Sequence, residues 1–403
     1  MRYDLGVRLE PRYLALAACG GTAFVDMYAT QPLLPSLRAE FDTSEAAVGA
    51  TISVLTFGCA AAAPFVGPLA DALGRKRVIV SAIFLLALVT FGAASAGSLH
   101  LLLVWRFAQG LLMPAVFAVT LAYIAEEFPP EVGGRAMGAY IGGNVVGGFL
   151  GRYLTAVVAS RWDWHVAFVV LGMLNLAGGA FVLFALPPAR HFVRQSSARG
   201  ALRAMGRFAR DPAFLATCVA GGSILFTLVA AFTFATFLLA EPPFDLGTLA
   251  LGNIFFVYLI GAVSSPVAGR LIDRFGHRAA LLMSSAVSAG GVLLTLIPSI
   301  VSVVTGLALM AVGVFAAQAA SQGYIGIVAH ERRSTAAALY IAVYYVGGGL
   351  GAIVPAPLWN RGGWPAVVAL IVVVQVCAAG LAATFWQRPK RRLEPVSADA
   401  LGG

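Results

Sequence analysis

The sequence predicts an all-α membrane protein, with twelve transmembrane helices arranged as two pseudo-symmetric six-helix bundles. Three observations carry this reading. Of 403 residues, 60% are hydrophobic and 11% charged, with a mean hydropathy of +0.86, which leaves too little polar surface to enclose a soluble core of this size. Apolar windows of about 20 residues, the length that crosses roughly 30 Å of hydrocarbon, recur along the whole chain. The most distinctive polar stretch, Gly67-Pro68-Leu69-Ala70-Asp71-Ala72-Leu73-Gly74-Arg75-Lys76-Arg77, returns 202 residues later as Gly269-Arg270-Leu271-Ile272-Asp273-Arg274-Phe275-Gly276-His277-Arg278. A repeat at half-length marks a chain built from two related halves.

The windows, spans 1 to 12, lie near 13–36, 46–68, 78–97, 100–124, 135–158, 164–186, 213–238, 247–268, 279–297, 300–328, 335–357 and 364–386. They divide the chain into a first bundle at 1–186, a linker at 187–211, a second bundle at 212–387 and a basic tail at 388–403. Span 1 is too long for a signal-peptide core and no small-residue cleavage site follows it, so it is expected to be retained. Of 27 Lys and Arg, Arg38, Arg161 and Arg361 fall on one side and Arg106 and Arg152 inside spans, while the other 22 share the opposite side. This asymmetry is the positive-inside signature and places both termini in the cytoplasm. The net charge of +9 therefore reads as orientation, not as nucleic-acid binding. Cys19, Cys59, Cys218 and Cys377 sit in apolar spans without paired spacing, which points away from disulfides and metal sites.

In span 1, Thr22, Asp26 and Thr30 share one helix face, Pro32 and Pro35 break the periodicity near the outer end, and Ser44-Glu45 reads as the cap of span 2. Span 5 carries two glycine rows, Gly134, Gly138, Gly142 and Gly143, Gly147, Gly151, which permit close approach of a neighbouring backbone. The repeat extends to Tyr140, Gly147, Leu150 and Trp164, matched by Tyr340, Gly347, Leu350 and Trp364. In the linker Leu202, Met205 and Phe208 recur every three residues opposite Arg199, Arg203, Arg207 and Arg210. This is either a surface-lying amphipathic helix or a solvated basic linker.

Two six-span halves, a cytoplasmic linker and the Gly67 to Arg77 stretch between spans 2 and 3 resemble the major facilitator superfamily, and the likeness covers essentially the entire chain. Span 4 around Arg106 and Gly110, and the glycine rows of span 5, resemble the motifs of its proton-coupled drug antiporters. One departure is Gly151-Arg152, where the antiporter motif usually places proline. The resemblance implies two parallel halves with a site near the midplane, and spans 1, 4, 7 and 10 facing a central cavity bordered by span 11.

Asp26 is the one acidic residue deep within a span, where a charge costs about 2.5–3.5 kcal/mol on insertion scales. It is the candidate proton-coupling group with Arg106 as its partner. The alternative is a packing ion pair between spans 1 and 4. Arg152 either attracts an anionic solute with its planar fork or bonds to backbone carbonyls at the contact with span 8. With Tyr28, Gln31, Gln109 and Asn144 from the first half and Phe232, Gln318, Gln322 and Tyr344 from the second, these residues form the candidate substrate cavity, an aromatic wall with a few amides suited to a moderately apolar ligand. Gly67, Asp71, Gly74 and Arg75, with Gly269, Asp273, Gly276 and Arg278, form a candidate gating motif. Asp71 is favoured near the start of span 3, and the neighbouring arginines are expected to pair across to the other half.

The function expected is a secondary active transporter, a proton-coupled exporter of small amphipathic compounds or drugs working by alternating access. Its partners are the solute, protons and the bilayer, the expected state is a monomer, and no cofactor is needed. The alternative is an importer or facilitator of an anionic metabolite using Arg106 and Arg152. An ATP-driven pump is disfavoured by the lack of a GxxxxGK[ST] loop, an enzyme by the lack of HExxH, GxSxG or metal-spaced clusters, and a channel by the lack of a carbonyl filter or charge ring.

Overall fold

A computed structural model describes residues 10–189, 207–208, 210–329 and 333–386, and among them every regular element is helical. That is the expected outcome where no water is available to pair an open backbone. Among the described residues, nine apolar helical segments are long enough to cross a bilayer: Glu45–Leu73, Arg75–Ala94, Leu99–Glu127, Trp164–Ala185, Pro212–Ala240, Ala268–Leu294, Ile300–Val328, Thr335–Ile353 and Ala356–Phe385, of which Ala268–Leu294 is interrupted at Gly276 and Ala356–Phe385 at Gly363. Span 5 is an unbroken helix, Pro130–Ala159, whose glycines and Arg152 dilute its apolarity. Spans 1 and 8 are broken. Span 1 runs as Pro11–Met27, unwinds, and resumes through a 3-10 turn at Gln31–Leu33 into Leu34–Glu40. Span 8 starts as Thr248–Ile254, tightens to a 3-10 segment at Phe255–Leu259 and then joins Ile260–Leu294. Residues 190–206 of the linker, on which the amphipathic-helix reading rests, and the tail from 387 onward lie outside the described residues.

The stretch at Gly67 is not a loop over most of its length. Span 2 stays helical through Leu73, and the chain reverses at Gly74 alone, with φ +91°, before span 3 starts at Arg75. Its repeat does the same at Gly276, with φ +80°. A positive φ of this size is open to glycine and strained for other residues, which explains the second glycine of each copy. Asp71 accordingly lies in the last turn of span 2 rather than at the start of span 3.

Within each half, glycines set the closest helix contacts. Gly143, Gly147 and Gly151 of span 5 lie against the backbone of Ala17, Gly21 and Val25 in span 1. In the second half Gly347 and Gly351 of span 11 lie against Gly222 and Phe226 of span 7. Large apolar side chains such as Leu88, Phe184 and Val301 face outward, where lipid tails replace water.

The halves meet on the side away from the Gly67 motif. Ser53 donates to the carbonyl of Gly349 at 2.7 Å, Gly49 and Gly252 abut Ala352 and Ala156, and the Phe149 ring packs tilted against that of Phe256, 4.6 Å between centres. Toward the motif face they part: a side chain added at Gly134, Gly138 or Gly142 would meet open space, and Phe65, Leu69 and Leu73 are exposed. The structure is thus closed on one face and open on the motif face. Since Gly147 touches backbone and Gly138 does not, Gly147→Leu is expected to lower stability by about 1–3 kcal/mol through overpacking, whereas Gly138→Ala leaves it unchanged or slightly raised. Thermal unfolding in detergent checks the pair.

Candidate functional site

The unwound stretch Tyr28–Thr30 leaves the last carbonyls of a helix end inside the membrane, where an unpaired carbonyl is costly. Side chains from spans 4 and 5 take them up. Arg106 is fully buried and donates from Nη1 to the carbonyl of Asp26 at 2.7 Å, from Nη2 to that of Met27 at 2.8 Å and from Nε to that of Thr51 at 3.0 Å. Its Nη1 also donates to Gln109 Oε1 at 2.8 Å. Thr155 donates to the carbonyl of Ala29 at 2.9 Å, and Thr51 donates to Thr30 Oγ1 at 3.1 Å. A guanidinium at a helix C-terminus is favoured by the partial negative charge there. The expected pairing of Arg106 with Asp26 is therefore corrected in kind: Arg106 holds the backbone carbonyl of Asp26 rather than its carboxylate, because three carbonyls compete for the same fork.

The Asp26 carboxyl, fully buried, points the other way, toward spans 3 and 6. Its Oδ2 accepts from Thr90 Oγ1 at 3.2 Å and from Asn175 Nδ2, while Oδ1 has no hydrogen-bond partner among the described residues. Gln109, expected in the cavity, instead donates to Thr90 Oγ1 at 2.8 Å and so ties the Asp26 group to Arg106. The second half repeats this arrangement without the charge. Gln375 of span 12 donates to Thr227 of span 7 at 3.2 Å and to Ser288 of span 9 at 2.9 Å. Thr227, Ser288 and Gln375 occupy in spans 7, 9 and 12 the places that Asp26, Thr90 and Asn175 hold in spans 1, 3 and 6. Thr90 and Asn175 escaped the sequence reading. Their signal is available in retrospect, as lone hydrogen-bonding side chains within strongly apolar spans.

Arg152 forms a second cluster with Tyr28 and Gln31. It donates from Nε to Gln31 Oε1 at 2.7 Å and from Nη1 to the carbonyl of Gly148 at 2.6 Å. Its guanidinium carbon lies 4.5 Å from the Tyr28 ring centre, 4.6 Å from Tyr258 and 5.2 Å from Phe255. Gln31 in turn donates to Thr233 of span 7 at 3.3 Å. Phe232 is buried behind this cluster, 5.4 Å from Phe255. Asn144 packs on Gly20 of span 1, inside the first half. Gln318 lies next to Tyr344, Gln322 is exposed, and Tyr344 stands beside Tyr340 and Tyr345. The ring series Phe24, Phe117, Tyr345 crosses from one half to the other with spacings of 6.2 and 5.4 Å.

At the gating motif, Arg75 forms ion pairs with Asp71 at 3.0 Å and with Glu126 at 2.7 Å, the latter through two nitrogens. Both of these partners belong to the first half, Asp71 one turn before the Gly74 reversal and Glu126 at the end of span 4.

A family model described as Major Facilitator Superfamily matches residues 16–261 and 224–401. The chain belongs to the major facilitator superfamily. It is 32% identical over 366 residues to the inner membrane transport protein YnfM of Escherichia coli (strain K12), covering 91% of this chain and 88% of the relative. It is 28% identical over 384 residues to the uncharacterized MFS-type transporter YybF of Bacillus subtilis (strain 168), covering 94% and 95%. Two solved folds are similar at 15% identity: a bacterial homologue of the human lysosomal transporter Spinster, inward-facing and occupied (TM-score 0.74, 93% and 96% covered), and the nucleoside transporter NupG (TM-score 0.72, 93% and 100%). The chain is a multi-pass membrane transporter of small molecules.

Replacing Arg106 by Leu removes the donor of the Met27 carbonyl and of Gln109 Oε1, each costing about 1–3 kcal/mol when left unpaired, while the Asp26 and Thr51 carbonyls keep backbone N–H donors. Chemical unfolding in detergent is expected to show a loss of several kcal/mol for Arg106→Leu and a smaller loss for Arg106→Lys, whose point charge cannot span three acceptors.

Proposed function

We propose that this transporter is a proton-coupled exporter of small amphipathic organic compounds, drugs among them, in the bacterial inner membrane with both termini in the cytoplasm. The observation that carries the reading is the Asp26 carboxyl: fully buried, with two donors on one oxygen and none on the other. A proton can settle on the free oxygen without breaking a hydrogen bond. Thr90 suits both states, since its hydroxyl also reaches the Leu86 carbonyl at 2.8 Å and a hydroxyl can donate to a carboxylate or accept from a carboxylic acid. Moving one charge through 100 mV supplies about 2.3 kcal/mol, enough for a solute gradient of roughly fifty-fold.

The open face is the one bearing the repeated basic motifs, which the positive-inside rule assigns to the cytoplasm. A solute entering there would meet the rings of Phe24, Phe117 and Tyr345 and the Tyr344–Gln318 pair, an apolar wall with few polar contacts. The alternative, an anionic metabolite held by Arg106 and Arg152 together, is disfavoured because Arg106 has its donors committed to three carbonyls and Gln109.

Reconstitution into liposomes with a pH-sensitive dye and a compound panel tests the proposal. Wild type is expected to move protons against at least one amphipathic compound, and Asp26→Asn to fall to the level of protein-free liposomes. Equal proton movement in Asp26→Asn, or none in wild type, defeats it.

A further inference from the structure

Arg152 is a buried cation that forms no ion pair among the described residues. Buried charges are ordinarily paired, so its stabilisation has to come from elsewhere, and the geometry shows where. Three ring faces and two oxygen acceptors surround the guanidinium. They divide unevenly between the halves. Tyr28, Gln31 and the Gly148 carbonyl belong to the first half, while Phe255 and Tyr258 belong to the 3-10 break of span 8 in the second. Gly148 has no side chain to hold the Tyr258 ring away; a Cβ there would lie 3.3 Å from it. Gln31, the acceptor for Nε, uses its amide nitrogen to reach Thr233 across the same boundary. All of these contacts lie on the closed side.

We infer that Arg152 is a lock between the two halves on the face away from the Gly67 motif, acting alongside their packing contacts, a positioning residue of the transport cycle rather than a ligand for the solute. Opening that face removes Phe255 and Tyr258 from the guanidinium and Thr233 from Gln31 in one movement. The cation then sits in a newly wetted cleft that solvates it, so the lock is remade each time water leaves. The peripheral pair Arg38–Glu241, at 3.2 Å and exposed, spans the same boundary but is screened by solvent and contributes little. Span 8 tightens to 3-10 geometry at the turn that supplies both rings, as functional hinges in helices often do.

The test reads the distance between the halves on the closed face. In protein carrying Cys377→Ser, which removes the exposed native thiol, spin labels are placed at Trp162→Cys and Ile297→Cys, both exposed positions on that face. Double electron–electron resonance in lipid nanodiscs then gives the ratio of long to short distances. Arg152→Gln is expected to raise that ratio about tenfold, the equivalent of about 1.4 kcal/mol. Tyr258→Leu is expected to raise it similarly, Arg152→Lys less, and the double variant Arg152→Gln with Tyr258→Leu no further than either alone. Should Arg152→Gln fail to fold, Tyr258→Leu and Gln31→Ala read the same lock. An unchanged ratio in these variants, or full additivity in the double variant, overturns the inference. A residue that only packs span 5 would lower the unfolding temperature without lengthening the distance. The proton-coupling proposal is untouched by either result, because it rests on Asp26.

Discussion

A helix that ends inside a membrane exposes carbonyls that lipid cannot satisfy, and in this protein Arg106 satisfies them. The rest of the site follows from that capping. Because Arg106 and Thr155 take up the carbonyls of Asp26, Met27 and Ala29, span 1 can stop being a helix at the middle of the bundle and still be stable. The unwound turn then lets two polar side chains leave in different directions. Asp26 goes toward spans 3 and 6, and Gln31 toward Arg152 and span 7. An uninterrupted helix would hold both in one rigid rod. The break makes the proton-binding candidate and the closed gate two ends of a six-residue segment.

The internal repeat separates architecture from chemistry. An amide on the sixth span of each half hydrogen-bonds the first: Asn175 reaches Asp26, which also holds Thr90 of span 3, and Gln375 reaches Thr227 and Ser288 of span 9 directly. That recurrence marks the amide as a device for tying helices together, present with or without a charge. What differs is the residue it meets: Asp26 in the first half, Thr227 in the second. A carboxyl placed in a frame that works equally well with a hydroxyl can change its proton without endangering the helix packing. The same comparison assigns the glycines of spans 5 and 11 to close packing, since both sets lie against the backbone of the first span of their half.

Much of this was legible in the sequence, and what was not shares a cause. The spans, the repeat and the isolation of Asp26 follow from composition and period, which are local properties. Pro32 and Pro35 signalled an interruption of span 1, yet the unwound stretch lies just before them, at Tyr28–Thr30, because Pro32 has no N–H to offer the carbonyl of Tyr28 four residues earlier. The partner of Arg106 was misread because its acceptors are backbone carbonyls, and every residue carries one. Only the fold shows which carbonyls are orphaned. Gln109 was placed in the cavity for the same reason, as side-chain identity gives polarity but not direction. The 3-10 break in span 8 has no proline or glycine at Phe255–Leu259 and so left no mark. Arg152 stood out as a charge inside a span, while the aromatic faces around it come from two different spans, 1 and 8.

The central claim is that Asp26 gains and loses a proton while buried. Infrared difference spectroscopy on the protein in lipid tests it directly, by following the carbonyl stretch of protonated carboxyl groups as pH is varied. The account predicts a band of a carboxylic acid shielded from solvent that fades as pH rises and is missing from Asp26→Asn. A spectrum with no titrating band of this kind, or one that persists unchanged in Asp26→Asn, would contradict it.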